Sequence, residues 1–213
     1  MHIITYIIMV CFFIIKQPNL FIPPQQNAKI LANCLGGFLL VIAYNFNSSL
    51  RDYAVRGVNN YFPRINRCPH CRGMVNLIRH GFYWRNAIEG EELFRIPICR
   101  LKCPSCNKTV SLLPNFLIPY FQYTVSTILD RLKSSFIDLV ITGQRQLTEF
   151  YRKRYLKQLK QVEMFFRDDG FREPLPTDSK EKAIKLLEMI LALGKATFVR
   201  RSTGHFIDNF MAN

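Results

Sequence analysis

Two short motifs limit what this chain can fold into. They are Cys68-Pro-His-Cys71-Arg-Gly and Cys103-Pro-Ser-Cys106-Asn-Lys, with 31 residues between Cys71 and Cys103. Two residues between cysteines let the backbone turn tightly, so that both sulfurs face one point. Proline after the first cysteine presets φ for that turn. Gly73 is expected to supply the left-handed exit, and Asn107 takes that place in the second copy, being the next most tolerant residue. Four thiolates presented in this way suit one tetrahedral Zn²⁺. Cys68, Cys71, Cys103 and Cys106 are therefore the expected ligands of a single structural zinc ion.

The other cysteines support this reading. The chain has 7 in all, an odd number, with four in matched Cys-x-x-Cys pairs. A secreted disulfide framework does not look like that, and a reducing compartment with thiolates on metal does. A thioredoxin-like redox site needs only one such pair, beside a βαβ unit. Cys99 reads as a core thiol and His70 as solvent-facing.

The spacer exceeds the usual ribbon length, and its content explains why. Met74 to Ile88 and Leu93 to Lys102 read as two strands joined at Glu89-Gly90-Glu91. Phe94, Ile96 and Ile98 alternate with Arg95, Pro97 and Cys99, which is strand periodicity. A hairpin of that length returns the second knuckle to the first, and a third strand follows at Thr109 to Leu113.

Residues 121–213 read as helical. Ile128, Leu129, Leu132, Phe136, Leu139 and Val140 have helical spacing, as do Leu147, Phe150, Tyr151, Tyr155, Leu159, Val162 and Phe166 in a run from about Arg145 to Asp169. Asp178, with Glu181 three residues on, makes a capping box for a third helix that Gly194 can end. The expected fold is thus α+β: a small three-stranded Cys₄ zinc ribbon (61–120), then an all-α helical domain (121–213).

Residues 1–60 form an apolar N-terminal segment. Its first fifteen residues are almost wholly apolar but stop at Lys16, short of the roughly 20 that a spanning helix needs. Three readings stay open: a buried strand and helix of a soluble domain, a two-pass membrane hairpin through residues 1–50, or translated sequence upstream of the natural start. The expected location is cytoplasmic, with membrane anchoring as the alternative.

Charge points to the partner. The formal net charge is +14 and the pI about 9.7. Only +3 of that lies in residues 1–60. So basic a balance suits nucleic acid or an anionic membrane surface. Two stretches carry it. Arg79-His80-Gly81-Phe82-Tyr83-Trp84-Arg85 interleaves basic groups with aromatics, which serves phosphate contact and base stacking together. Arg79, His80, Tyr83, Trp84 and Arg85 are its candidate contacts. On the second helical run, Lys153, Lys157 and Lys160 share a face beside Arg152 and Arg154. With Gly143 and a preceding helix, this could be a helix-turn-helix. Packing of the aromatics in a core, and an ordinary solvated face, are the plain alternatives.

Residues from about 61 onward resemble an uncharacterised bacterial family of small zinc-ribbon proteins linked to mobile elements. The resemblance rests on Cys68-Pro-His-Cys71, Arg79 to Arg85, Arg95-Ile96-Pro97-Ile98-Cys99-Arg100 and Cys103-Pro-Ser-Cys106-Asn-Lys-Thr109. Ser111 to Pro114, Leu117 to Tyr120, Glu163 to Asp168 and Lys182 to Leu187 continue it. The ribbon half is similar to the N-terminal zinc-binding region of several transposases. The resemblance implies DNA binding in a transposase-like setting and brings no known reaction. No catalytic constellation is visible: a closed Cys₄ site leaves no position for water, and no glycine-rich phosphate loop or nucleophile elbow occurs. The function expected is a DNA-binding accessory or regulatory protein of a mobile element. The alternatives are an adaptor docking on a larger transposase or polymerase, or a membrane-tethered regulator.

Overall fold

A computed structural model describes residues 28–31, 40–140, 143–205 and 210–211. Strands β1 (Ala28–Leu31) and β2 (Leu40–Tyr44) come first, then helix α1 (Leu50–Arg56) with a 3₁₀ turn at Gly57–Asn59. Strands β3 (Ile78–Glu89), β4 (Glu92–Lys102) and β5 (Thr109–Pro114) follow. Helices α2 (Val125–Phe136), α3 (Arg145–Lys157), α4 (Leu159–Asp168), α5 (Ser179–Leu193) and α6 (Lys195–His205) complete the chain.

The sheet has five strands in the order β1-β2-β5-β4-β3, and this corrects the expected three-stranded ribbon. The hairpin β3–β4 and strand β5 form where expected, except that β3 begins at Ile78 and not at Met74. Strand β2 then pairs parallel to β5, with Leu40 opposite Val110 and Tyr44 opposite Pro114, and β1 pairs antiparallel on its outer side. The ribbon's third strand is buried from Val110 through Pro114, and β2 satisfies its open edge. Residues 40–60, from the segment left open above, thus belong to the sheet and its core. The apolar run 1–26 lies outside the described residues, so the reading of it as a membrane hairpin falls there too. Among the described residues no helix is long and apolar enough to cross a membrane.

Two apolar cores result. One gathers Ile42, Leu50, Tyr53, Ile96, Ile98, Cys99 and Leu112 around the sheet. The other gathers Ile128, Leu132, Tyr151, Tyr155, Leu186, Ile190 and Phe198 among the helices. Helix α1 packs on β4, where the Tyr53 hydroxyl donates to the Pro97 carbonyl at 2.9 Å. Strand β4 is buried from Ile96 through Cys99 without alternation, because both of its faces are covered.

The hairpin tip seats on the helical part through backbone bonds. Ile88 N–H donates to Gln122 O at 2.8 Å, Thr124 N–H to Ile88 O at 2.9 Å, and Gly90 N–H to the Thr127 hydroxyl at 2.9 Å. Thr124 also caps α2, accepting from Thr127 N–H. Asp178 caps α5 as its spacing indicates, accepting from Lys180 and Glu181 N–H, and Gly194 closes that helix at φ 88°. The run from Arg145 is two helices, not one. At Gln158 the N–H is shared between Arg154 O and Tyr155 O, which tightens the turn and ends α3. Helix α6 had no marked start in the sequence, since Gly194 serves as the stop of one helix and is followed at once by the next.

Candidate metal centre and its basic surroundings

Each knuckle is a turn closed by its own backbone. Cys68 N–H donates to Gly73 O at 3.0 Å, and Cys103 N–H donates to Lys108 O at 2.9 Å. The left-handed residue of the first turn is Arg72 (φ 60°), not Gly73; Asn107 (φ 56°) is its counterpart in the second. The expectation placed that conformation one residue late. Gly73 itself has no left-handed φ, and a Cβ there would lie 3.4 Å from Cys71 Sγ, close to ordinary contact distance.

The turns bring Cys68, Cys71, Cys103 and Cys106 together, with all four Sγ atoms within 4.8 Å of one another. The two closest pairs join different knuckles: Cys68 to Cys106 and Cys71 to Cys103, each at 3.8 Å. Disulfide sulfurs sit at about 2.05 Å, so the spacing is that of separate ligands around a common centre. These four residues could hold a metal ion. Cys68 and Cys103 are fully buried, Cys106 is partly so, and Cys71 is exposed. Backbone N–H groups of Cys106 and Ser105 aim at Cys103 and bring its thiol down to about 6. Burial pushes Cys68 up to about 12, against the N–H groups of Cys71 and His70. Crowded sulfurs cannot all be thiolates without a cation among them.

Cys99 stays outside the cluster. It is buried in the sheet core, where burial raises its pKa, while the guanidinium of Arg79 beside it pulls the other way.

The proposed contacts separate into two kinds. Arg79 and His80 are exposed near the metal end of β3. Arg79 lies 5.4 Å from the Phe62 ring and 5.8 Å from that of Phe82. His80 is the extra residue of a bulge that shifts the register between Arg79 and Gly81. Tyr83 is half-buried and Trp84 exposed. Lys153, Lys157 and Lys160 are exposed and form no ion pair among the described residues.

The remaining arginines are occupied. Arg85 is half-buried, donating to Ile118 O at 2.9 Å and to Phe121 O, and its burial lowers the guanidinium pKa. Arg152 lies 4.8 Å from the Phe136 ring, donates to Ser135 and faces Glu149. Arg154 sits 4.6 Å from the Phe150 ring and donates to Met211 O. Basic-aromatic alternation cannot tell a free cation from one lodged against a ring or a carbonyl, so the sequence grouped all four arginines.

One feature was missed. Residues 61–120 contain nine Lys and Arg against three Glu, and the carboxylates all fall at the hairpin tip, Glu89, Glu91 and Glu92. Arg67, His70, Arg72 and Lys108 surround the cysteines at the other end, all exposed. The hairpin strand between is 12 residues long, about 40 Å at the usual rise. Fixing the hairpin's direction in the sequence was enough to see this polarity.

Residues 68–149 match a family model described as a domain of unknown function, DUF6431. The match begins at the first metal-site cysteine and ends within α3. No curated protein and no solved structure matches the chain.

Proposed function

We propose that this chain is a zinc-ribbon DNA-binding protein whose metal end contacts phosphates, acting as an accessory or regulatory factor. Zinc is the ion the geometry favours. At a Zn–S distance of about 2.3 Å, a regular tetrahedron has sulfurs about 3.8 Å apart. The closest inter-knuckle pairs are at 3.8 Å.

The observation that carries DNA binding is the charge polarity of the hairpin. Its metal end gathers Arg67, His70, Arg72, Arg79, His80 and Lys108, exposed, while the carboxylates gather at the far tip against the helical part. Cations crowded together without carboxylates repel one another and gain from an anionic partner. Lys153, Lys157 and Lys160 offer a second exposed basic group. The mobile-element setting is carried over from the resemblance of the ribbon to transposase zinc-binding regions.

The test is DNA binding by the zinc-loaded full chain at several salt concentrations. Affinity should fall steeply with salt, and Arg67→Ala, Arg72→Ala and Lys108→Ala should each reduce the slope by about 0.9. A folded, zinc-loaded protein without salt-sensitive DNA affinity sinks the reading. A second reading, docking on a larger protein, draws on Met74 and Ile78, 73% and 61% exposed beside the knuckles. Capture of a partner that survives nuclease, lost in Met74→Asp, would favour it.

A further inference from the structure

A cavity of about 400 Å³ opens on one face of the sheet. Its floor comes from Val41, Ser111 and Leu113, one side from β3 at Tyr83 and Arg85, and its roof from Pro119, Tyr120 and Gln122. The register places these side chains together. Ser111 lies between Val41 and Arg100 across three strands, and Ile98, two residues from Arg100 on the same face, is opposite Tyr83. The volume is at the small end of the range for ligand sites, about 300–1,000 Å³.

Three observations mark it as more than a packing gap. Ser111, a polar residue only 3% exposed, lies on the floor of the cavity. Opposite it on β4, the buried Nε of Arg100 has no partner among the described residues. Buried polar groups are nearly always satisfied, so this Nε, one strand over from the cavity floor, calls for an acceptor from elsewhere. Tyr120, in the roof, is held at φ 69° with 69% of its surface exposed. A bulky residue in that conformation costs about 1–3 kcal/mol, and such strain gathers at functional sites. Here it presents a ring to solvent at the mouth of the cavity, with Tyr83 on the wall.

The geometry points to a pocket for one unstacked base of single-stranded DNA, resting on Tyr120 and Tyr83 and hydrogen-bonded by Ser111 and Gln122. This builds on the DNA-binding reading above and specifies the form of the nucleic acid. Tyrosine rings stack on any base. An amide and a hydroxyl match the donor and acceptor groups of a base edge. The cavity also lies about 13 Å along β3 from Arg79, so one strand can meet both the pocket and the basic end.

The test uses the zinc-loaded full chain and fluorescence anisotropy with four probes. These are a mixed-sequence single-stranded 12-mer, the same strand with abasic sites, its duplex, and an equimolar mixture of the four deoxynucleoside monophosphates. Tyr120→Gly removes the ring and relieves the backbone, so the fold should persist; Ser111→Ala is the second variant. The expected result is single-strand affinity tenfold or more above that of the abasic strand and the duplex. Both variants should lose that preference while keeping the salt-dependent remainder. DNA binding without any such preference, or a preference that both variants retain, overturns the pocket and leaves the basic-end reading standing. No salt-sensitive binding of any DNA overturns the basic-end reading, and with it the pocket. Monophosphate binding at least as tight as the 12-mer's, and lost in Tyr120→Gly, overturns the strand assignment in favour of a free nucleotide.

Discussion

The Tyr53 hydroxyl donates to the Pro97 carbonyl over 2.9 Å, joining a helix upstream of the ribbon to the ribbon's central strand. Both groups are buried. Tyr53→Phe should therefore leave a carbonyl unsatisfied and cost about 1–2 kcal/mol. Leu50, 2% exposed on the same helix, should cost about 2–5 kcal/mol as Leu50→Ala. Urea unfolding midpoints check both. If neither moves, α1 is not part of the folded unit.

Arg85 should behave as a structural residue. Its guanidinium satisfies the carbonyls of Ile118 and Phe121 between β3 and the segment leading to α2. Arg85→Met should destabilise the fold by about 1–3 kcal/mol and leave the salt slope of DNA binding as it was. A slope reduced by about one without loss of stability would contradict this placement.

Arg72 separates two effects in one substitution. Its φ of 60° suits glycine better than any side chain. Arg72→Gly relieves left-handed strain of about 1–2 kcal/mol but frees the unfolded chain, offsetting about 0.5–1 kcal/mol of that. The expected outcome is a protein as stable as the parent or slightly more so, with a shallower salt slope. Thermal unfolding and anisotropy report the two separately.

Removing the metal should unfold the sheet end first. Structural zinc contributes about 10–16 kcal/mol in small apo-unfolded domains. A strong chelator, or Cys103→Ser, should abolish amide-exchange protection in β3 to β5 while α5 keeps more of its own. Cobalt in place of zinc should give thiolate charge-transfer absorbance at one ion per chain. Absence of that band, or a different stoichiometry, would falsify the four-sulfur site.

Acid should weaken the helical part. Glu163 is held below the usual carboxylate range, chiefly by its hydrogen bond from Lys182, with Arg167 adding to it. Asp169 is likewise lowered by Arg201. A folded pKa below the unfolded one gives stability that is present above the unfolded value, about 4, and is lost as pH falls through the folded value. The melting temperature should drop below about pH 4. Glu163→Gln should flatten that drop; an unchanged profile would show that the Lys182 contact does not persist in solution.

What the sequence made legible was local chemistry. The knuckles, the hairpin with its turn, the Asp178 cap and the Gly194 stop all rest on neighbours within a few residues, and they stand where their spacing indicates. Three things depended on distant chain. Strand β2 reads as an undifferentiated apolar stretch until β5 is there to pair with it. The lodging of Arg85 and Arg154 needs partners 33 and 57 residues away. The place of Ser111 on a cavity floor is visible only once its strand has two neighbours. The misplaced left-handed residue is a different kind of miss: glycine was read for its φ, and the turn puts that conformation on Arg72 instead.

The parallel pairing of β2 with β5 has a consequence for the order of folding. Leu40 and Val110 are paired although 70 residues separate them, whereas β3 and β4 are neighbours in the chain. Contacts of high separation form late, because the loop must close before they contribute anything. The knuckles lie inside that loop. A metal ion joining Cys68 and Cys71 to Cys103 and Cys106 shortens the free loop to roughly half, lowering its closure cost by about 0.6 kcal/mol. Metal capture would thus be an early event that brings β5 within reach of β2, and refolding without it should stall with the N-terminal strands unpaired.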